Sequence, residues 1–350
     1  MSKVALASTL GVTTRVLQTY ETEGAPRARA GVLARALQTT EEFFDRPECE
    51  PISEDQAFFR ARRRATAYQL NSARAAGAIG IEFYEWLADR FQLPAVVVPD
   101  LDRERPESAA AALRAVWGQG TGPLPNLVQL SEAHGVRVMS LPVDAETVDA
   151  FSLWRDNRPY VFLSMAKTAE RSRFDLAHEL GHLVMHSRGS EGDPEREADA
   201  FGSALLMPRE VVLASSTREP ATPEILRLRT HFRVSAMAMT RRLHDVGRLS
   251  DWAYRQNCVQ LTQRGFRSGE PGGGQREFSR VFQVAFGLLR GSGAGVSEVT
   301  SELGITVQEL HALTFGQVVA PLDGNDAGSV APRPHLRLIG PDERASRTDA

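Results

Sequence analysis

The stretch Arg171-Ser-Arg-Phe-Asp-Leu-Ala-His178-Glu179-Leu-Gly-His182-Leu-Val-Met-His186 decides how the chain reads. Its apolar spacing predicts one helix over 171–186. His178 and His182 stand four positions apart. On an α-helix that is one turn plus about 40°, a rise of about 6 Å along a shared face. Two imidazoles so placed can reach one zinc ion at about 2.0–2.1 Å each. Glu179 lies beside His178, where it can meet a water at the metal and act as a general base. Zinc used in catalysis needs a third protein ligand and an open fourth position. The next predicted helix, about 194–206, offers Glu195 and Glu197. Asp199 follows Glu195 by four residues and shares its face, whereas Glu197 lies about 200° around the helix. Glu195 is therefore expected as the third ligand, with Asp199 behind it orienting a histidine. His186 falls where the helix should end, a position that suits a histidine near the negative end of the dipole.

Upstream of this helix the apolar period changes to two. Val136, Val138 and Ser140-Leu141 read as a strand; 151–154 and 160–163 read as a hairpin with Asp156-Asn157 at its tip. Tyr160-Val161-Phe162-Leu163 is expected to pair with an extended substrate. Helices are expected at 53–93 as a hairpin broken near Gly77 and Gly80, at 109–117 and 127–134, and later at 223–231, 236–246, 276–290 and 296–315. The fold class is thus α+β and predominantly α, a small antiparallel sheet with helices around it.

The chain has 350 residues, 42% hydrophobic and 24% charged, with a net charge of −3. This suits a soluble multidomain protein and argues against a uniformly basic nucleic-acid coat. Cys49 and Cys258 make neither a disulfide framework nor a CxxC metal pair. No apolar run reaches the roughly 18 residues of a membrane span. The N-terminus lacks the long apolar core of a signal peptide, so a cytoplasmic protein is expected. Five segments are expected: 1–46, short helices for which the second resemblance below implies a partial helix-turn-helix; 53–123, a helical hairpin or connector; 124–250, the metal-bearing core with helix-turn-helix-like helices after it; 251–320, a helical region; and 321–350, a Gly-, Pro- and Asp-rich tail expected to be disordered.

Two resemblances extend this reading. The strands near Val136, the run Phe-Asp-Leu-Ala-His-Glu-Leu-Gly-His, and Glu195-Arg-Glu-Ala-Asp-Ala-Phe-Gly-Ser-Ala-Leu-Leu-Met-Pro208 resemble the ImmA/IrrE family of zinc metallopeptidases. Gly202 stands where many members have alanine. The resemblance implies a gluzincin-like core holding one Zn2+ per chain through His178, His182 and Glu195, with Glu179 catalytic. It also implies a protein substrate, an XRE-type repressor or antitoxin-like protein cut at a specific site to relieve repression, often under stress. The alternative is a DNA-binding regulator whose zinc domain senses or docks a partner with little proteolysis.

Leu6-Ala-Ser-Thr-Leu-Gly11-Val-Thr13 resembles the second helix and turn of XRE-type helix-turn-helix domains, without the usual first helix. Thr13, Thr14, Arg15 and Gln18 would begin the recognition helix, with Val16 and Tyr20 packing inward. Arg60-Ala-Arg-Arg-Arg64 is read first as a solvated helix face and second as a phosphate contact.

Overall fold

The computed structural model describes residues 1–53, 58–61, 66–102, 104–142, 148–186, 192–291, 295–318 and 336–339. Its architecture is α+β and mostly helical. Helices α1 (Lys3–Leu10), α2 (Thr14–Glu23) and α3 (Ala30–Leu37) pack around their own small core of Ala7, Leu10, Leu17 and Leu33. Gly11 takes the left-handed conformation that stops α1 at φ 64°, and the Thr13 hydroxyl caps α2 by accepting from Val16 N–H. Leu17, not Val16, is the residue turned inward; Val16 is 38% exposed. The one-position difference is a third of a helical turn, enough to exchange the two faces.

Strand β1 (Phe58–Ala61) stands where the sequence suggested helix. Four residues are too few for their own period to decide, and pairing with a sheet edge wins. Of the basic run, Arg62–Arg64 lie outside the described residues. Helix α4 (Ala67–Arg90) then runs unbroken through the two glycines expected to interrupt it. A Cβ at Gly77 would come within 2.8 Å of Ile52 and Phe151, and one at Gly80 within 2.8 Å of Met139. These glycines let the helix lie close against the sheet. The expected hairpin is thus a strand followed by one long helix.

After β2 (Phe91–Gln92) come α5 (Pro106–Val116), α6 (Leu127–Ala133) and three strands, β3 (Arg137–Leu141), β4 (Val148–Arg155) and β5 (Arg158–Ser164). The β4–β5 hairpin turns at Asp156 and Asn157, both with positive φ, as a tight twisted hairpin requires. Strand order is β1-β4-β5-β3. β3 runs parallel to β5 while the other pairs are antiparallel, so the sheet is mixed and not wholly antiparallel. β5 is bonded on both edges, to β4 and β3, and has no edge left for a substrate strand; the outer strands are β1 and β3.

Helix α7 (Ala169–Met185) lies on this sheet, and α8 (Pro194–Leu206) packs across α7. The chain continues through α9 (Arg209–Ser215), α10 (Thr222–Phe232), α11 (Ala236–Asp245), α12 (Asp251–Gln263), α13 (Arg280–Gly291), α14 (Val296–Leu303) and α15 (Val307–Leu313). The 296–315 segment, whose Leu303-Gly304-Ile305-Thr306 suits a helix pair as well as one helix, is such a pair, parted at Gly304 with φ 59°. α12 falls in the expected helical region 251–320 but was not delimited as a helix of its own: its apolar residues spread around the helix, leaving Trp252 and Val259 exposed. Most of the expected disordered tail lies outside the described residues. Within it, β6 (Arg337–Leu338) pairs with β2, and Ile339 is buried and donates to the Arg90 carbonyl at 2.8 Å.

Candidate metal centre

The sequence around His178 builds a helix that is buried along its second half. Thr168 caps α7 by accepting from Arg171 N–H, and every residue from Asp175 to Met185 is buried. Lys167 ties the assembly, reaching Asp175 at 2.6 Å and Asp149 of β4 at 3.0 Å, all three side chains largely shielded from water. Trp154 of β4 donates to the Leu183 carbonyl at 3.1 Å. α7 therefore has little freedom to slide on the sheet.

Helix α8 approaches α7 through two glycines. A Cβ on Gly181 would sit 3.1 Å from the Ala198 Cα, and one on Gly202 would sit 3.0 Å from the backbone nitrogen of His178. The far end of α8 is fastened by two arginines: Arg114 donates to the Leu205 carbonyl, and Arg242 donates to the Met207 carbonyl at 2.8 Å. Leu205, Leu206 and Met207 are all buried. The Leu-Leu-Met-Pro208 run is thus where α8 ends in the core and Pro208 starts α9.

This crossing brings His178, His182 and Glu195 together, one donor atom of each lying within 4.8 Å of the others. The Nε2 atoms of His178 and His182 are 3.0 Å apart; Glu195 Oε1 is 3.2 Å from His182 Nε2, and its Oε2 is 3.5 Å from His178 Nε2. Donors on a tetrahedral zinc ion at about 2.05 Å would be about 3.3 Å from each other. The three residues fit such an ion without rearrangement. Both histidines are fully buried, while the Glu195 side chain is 52% exposed. Burial lowers the His182 pKa to about 4, which keeps the imidazole in the neutral form a metal requires. Burial opposes ionisation of Glu195, but hydrogen bonds from His178 and His182 outweigh it and hold the carboxyl far below the usual range.

Residues 131–244 match the family model of the IrrE N-terminal-like domain, peptidase M78. The matched third of the chain runs from within α6 into α11, so it contains strands β3, β4 and β5, the whole cluster and Arg242, but neither β1 nor Arg114. Comparison with curated proteins returned no match. The IrrE N-terminal-like segment is thus similar to a peptidase domain, and it carries a His-His-Glu group able to hold a metal.

The surroundings of the cluster include residues that sequence reasoning assigned and others it did not. Asp199 Oδ1 is 2.9 Å from His178 Nδ1. Glu179 is fully buried, and its Oε2 accepts from the Ser152 hydroxyl of β4 at 2.6 Å. His186 caps the end of α7, as its position in the sequence suggested, and that end is buried. The histidine is 2% exposed, with Nδ1 3.0 Å from His182 Nδ1 and Nε2 3.0 Å from Glu197. Burial and the two contacts add to the dipole reading. Glu197, pointing away from the cluster as its helical angle required, meets His186 instead. Two signals could have found this pair: His186 is four residues after His182, and Ser152 interrupts an apolar strand. Thr13, Thr14, Arg15 and Gln18 are all exposed on or beside the start of α2 and belong to a different part of the molecule. No helix among the described residues is long and apolar enough to cross a membrane.

Proposed function

We infer that the chain is a zinc-dependent, site-specific endopeptidase with a regulatory role, acting in the cytoplasm on a helix-turn-helix repressor or antitoxin-like protein. The observation that carries the reading is the spacing of His178 Nε2, His182 Nε2 and the Glu195 carboxylate, which suits one tetrahedral ion with a side left open. Bound there, zinc would supply Lewis acidity toward the scissile carbonyl and a lowered pKa for the attacking water.

The chain's own residues do the rest. Asp199 and His186 fix the ring orientation of His178 and His182 through the nitrogens turned away from the cluster. Glu179 takes a proton from the attacking water as its oxygen bonds to the carbonyl carbon. The carbon–nitrogen bond then breaks, and Glu179 gives the proton to the leaving amine. Ser152 holds one oxygen of that carboxylate in place. Incubating the protein with zinc and helix-turn-helix proteins encoded beside its gene tests this reading. Clean cutting by the native chain, lost in Glu179→Gln with zinc retained, is expected. No cutting of any neighbour, with His182→Ala holding as much zinc as the native chain, would sink it.

The second reading is a DNA-binding regulator with little turnover. It is favoured by the exposure of Thr13, Thr14, Arg15 and Gln18 after a left-handed turn. Tight operator binding with a steep salt slope, without cleavage, would select it.

A further inference from the structure

A sizeable cavity lies away from the histidine cluster, between the first two turns of α7, the end of α10 and the Gly-rich segment that precedes α13. Its volume is about 570 Å³, within the roughly 300–1,000 Å³ typical of small-molecule sites. None of His178, Glu179, His182 or Glu195 lines it.

Four guanidinium groups do: Arg173, Arg229, Arg233 and Arg276. The carboxylates nearby are already engaged. Glu170 accepts from Gly274 N–H at 2.6 Å, and Glu277 accepts from Leu127 N–H at 2.9 Å and from Arg173. Glu270, outside the lining, pairs with Arg229 at 2.8 Å. Arg276 donates only to neutral acceptors, the Ser172 hydroxyl at 2.8 Å and the Lys167 carbonyl. Even counting Glu270, the arginines outnumber the carboxylates.

The arginines are firmly seated: Arg173 and Arg229 are 4% and 7% exposed, Arg173 donating to the Pro125 carbonyl at 2.7 Å and the Leu124 carbonyl at 2.9 Å, and Arg229 to the Pro271 carbonyl at 2.7 Å. Burial lowers the Arg276 pKa, with only Glu170 opposing, so its charge is poorly compensated as it stands. The wall is firmly built: a Cβ on Gly273 would come within 2.7 Å of Glu170 Oε1 and 2.9 Å of the Glu270 carbonyl.

We propose that this cavity is a binding site for a small phosphorylated molecule. Planar guanidinium forks match the several oxygens of a phosphate, and the volume leaves room for the organic group that carries it. The proposal does not depend on the peptidase reading.

Equilibrium dialysis of the full chain against radiolabelled inorganic phosphate, at ionic strength held constant with sodium chloride, tests it. Saturable uptake approaching one phosphate per chain is expected. Arg276→Gln should weaken it by roughly tenfold or more, the scale of a lost charge-assisted contact. Arg233→Gln, at an exposed position without structural bonds in the core, should weaken it in the same direction. His182→Ala should leave uptake unchanged. Uptake absent, or equal in both arginine variants and the native chain, overturns the proposal. Uptake lost in His182→Ala would move the phosphate to the histidine cluster and also overturns it. Displacement by citrate as readily as by glycerol phosphate would make the ligand a carboxylate and overturns the phosphate assignment.

Discussion

Under the zinc reading, affinity for the ion should depend more on His186 than on Asp199, although both touch a histidine of the proposed metal site at about the same distance. Asp199 stands 2.9 Å from His178, and His186 stands 3.0 Å from His182. Partners of this kind usually contribute 10–100-fold to metal affinity, about 1.4–2.7 kcal/mol. Where each falls in that range is set by what replaces it. The Asp199 side chain is 53% exposed, so water can take over the hydrogen bond when the carboxylate is removed. His186 is 2% exposed and bonded to Glu197 on its far side. His186→Phe fills the same space with an apolar ring and admits no water, leaving His182 Nδ1 facing hydrocarbon. The expected losses are therefore near 100-fold for His186→Phe and near 10-fold for Asp199→Ala. Competition against a chromophoric chelator at pH 7.5 measures both, with thermal unfolding to confirm that each variant folds. Zinc affinity of His186→Phe within threefold of native, or a larger loss in Asp199→Ala, would refute the reasoning.

Two further outcomes follow from the packing. Gly202→Val should strip zinc and cost about 1–3 kcal/mol, because its Cβ alone would lie 3.0 Å from the backbone nitrogen of His178 and its added methyl groups must push α8, with Glu195, away from α7; Gly202→Ala, at the margin of contact, should keep zinc in a metal assay. Glu132 is fully buried and caps the start of α13, accepting from Arg280 N–H at 2.8 Å; burial raises its pKa from 4.5 to about 7 against those hydrogen bonds. Its folded form holds a proton that the unfolded chain releases between those values, so this residue's contribution falls as pH rises from about 4.5 to 7, by at most about 3 kcal/mol. Urea unfolding at pH 5 and pH 8 should show Glu132→Gln gaining on the native chain across that interval, and an unchanged gap would exclude the effect.

The parts of the site readable from the linear sequence are those fixed by one helix's own geometry. His178 and His182 share a face because of 3.6-residue periodicity, and Asp199 shares that of Glu195 for the same reason. Their meeting was legible only as an expectation, since two helices must cross for it to happen. The residues missed depend on that crossing. His186 looks like a helix end in isolation; it becomes buried once α8 returns beside it. Ser152 gains meaning only when β4 lies under α7. Glycine was misread for a related reason: Gly77 and Gly80 resemble breaks in a local reading, yet they serve contact between α4 and residues about 60–80 positions later in the chain. The strand at Phe58–Ala61 belongs to the same class, since its conformation is decided by a partner, β4, far along the chain.

The distribution of exposure around the cluster limits how a substrate of the proposed reaction would enter. His178 and His182 are sealed against the sheet, and Glu179 is fully buried beneath β4. Glu195 and Asp199 are each about half exposed, so the cluster opens toward the first turns of α8. That end of a helix carries partial positive charge, which favours ionised Glu195 and also favours the oxygen of an approaching carbonyl. The opposite end of α8 is held by Arg114 and Arg242 in the core. A helix pinned at its C-terminus and presenting its N-terminus to solvent lets the Glu195 side chain adapt to what enters while the two imidazoles stay fixed. In the proposed site the rigid ligands therefore come from α7, and the adjustable one comes from the side on which a peptide would arrive.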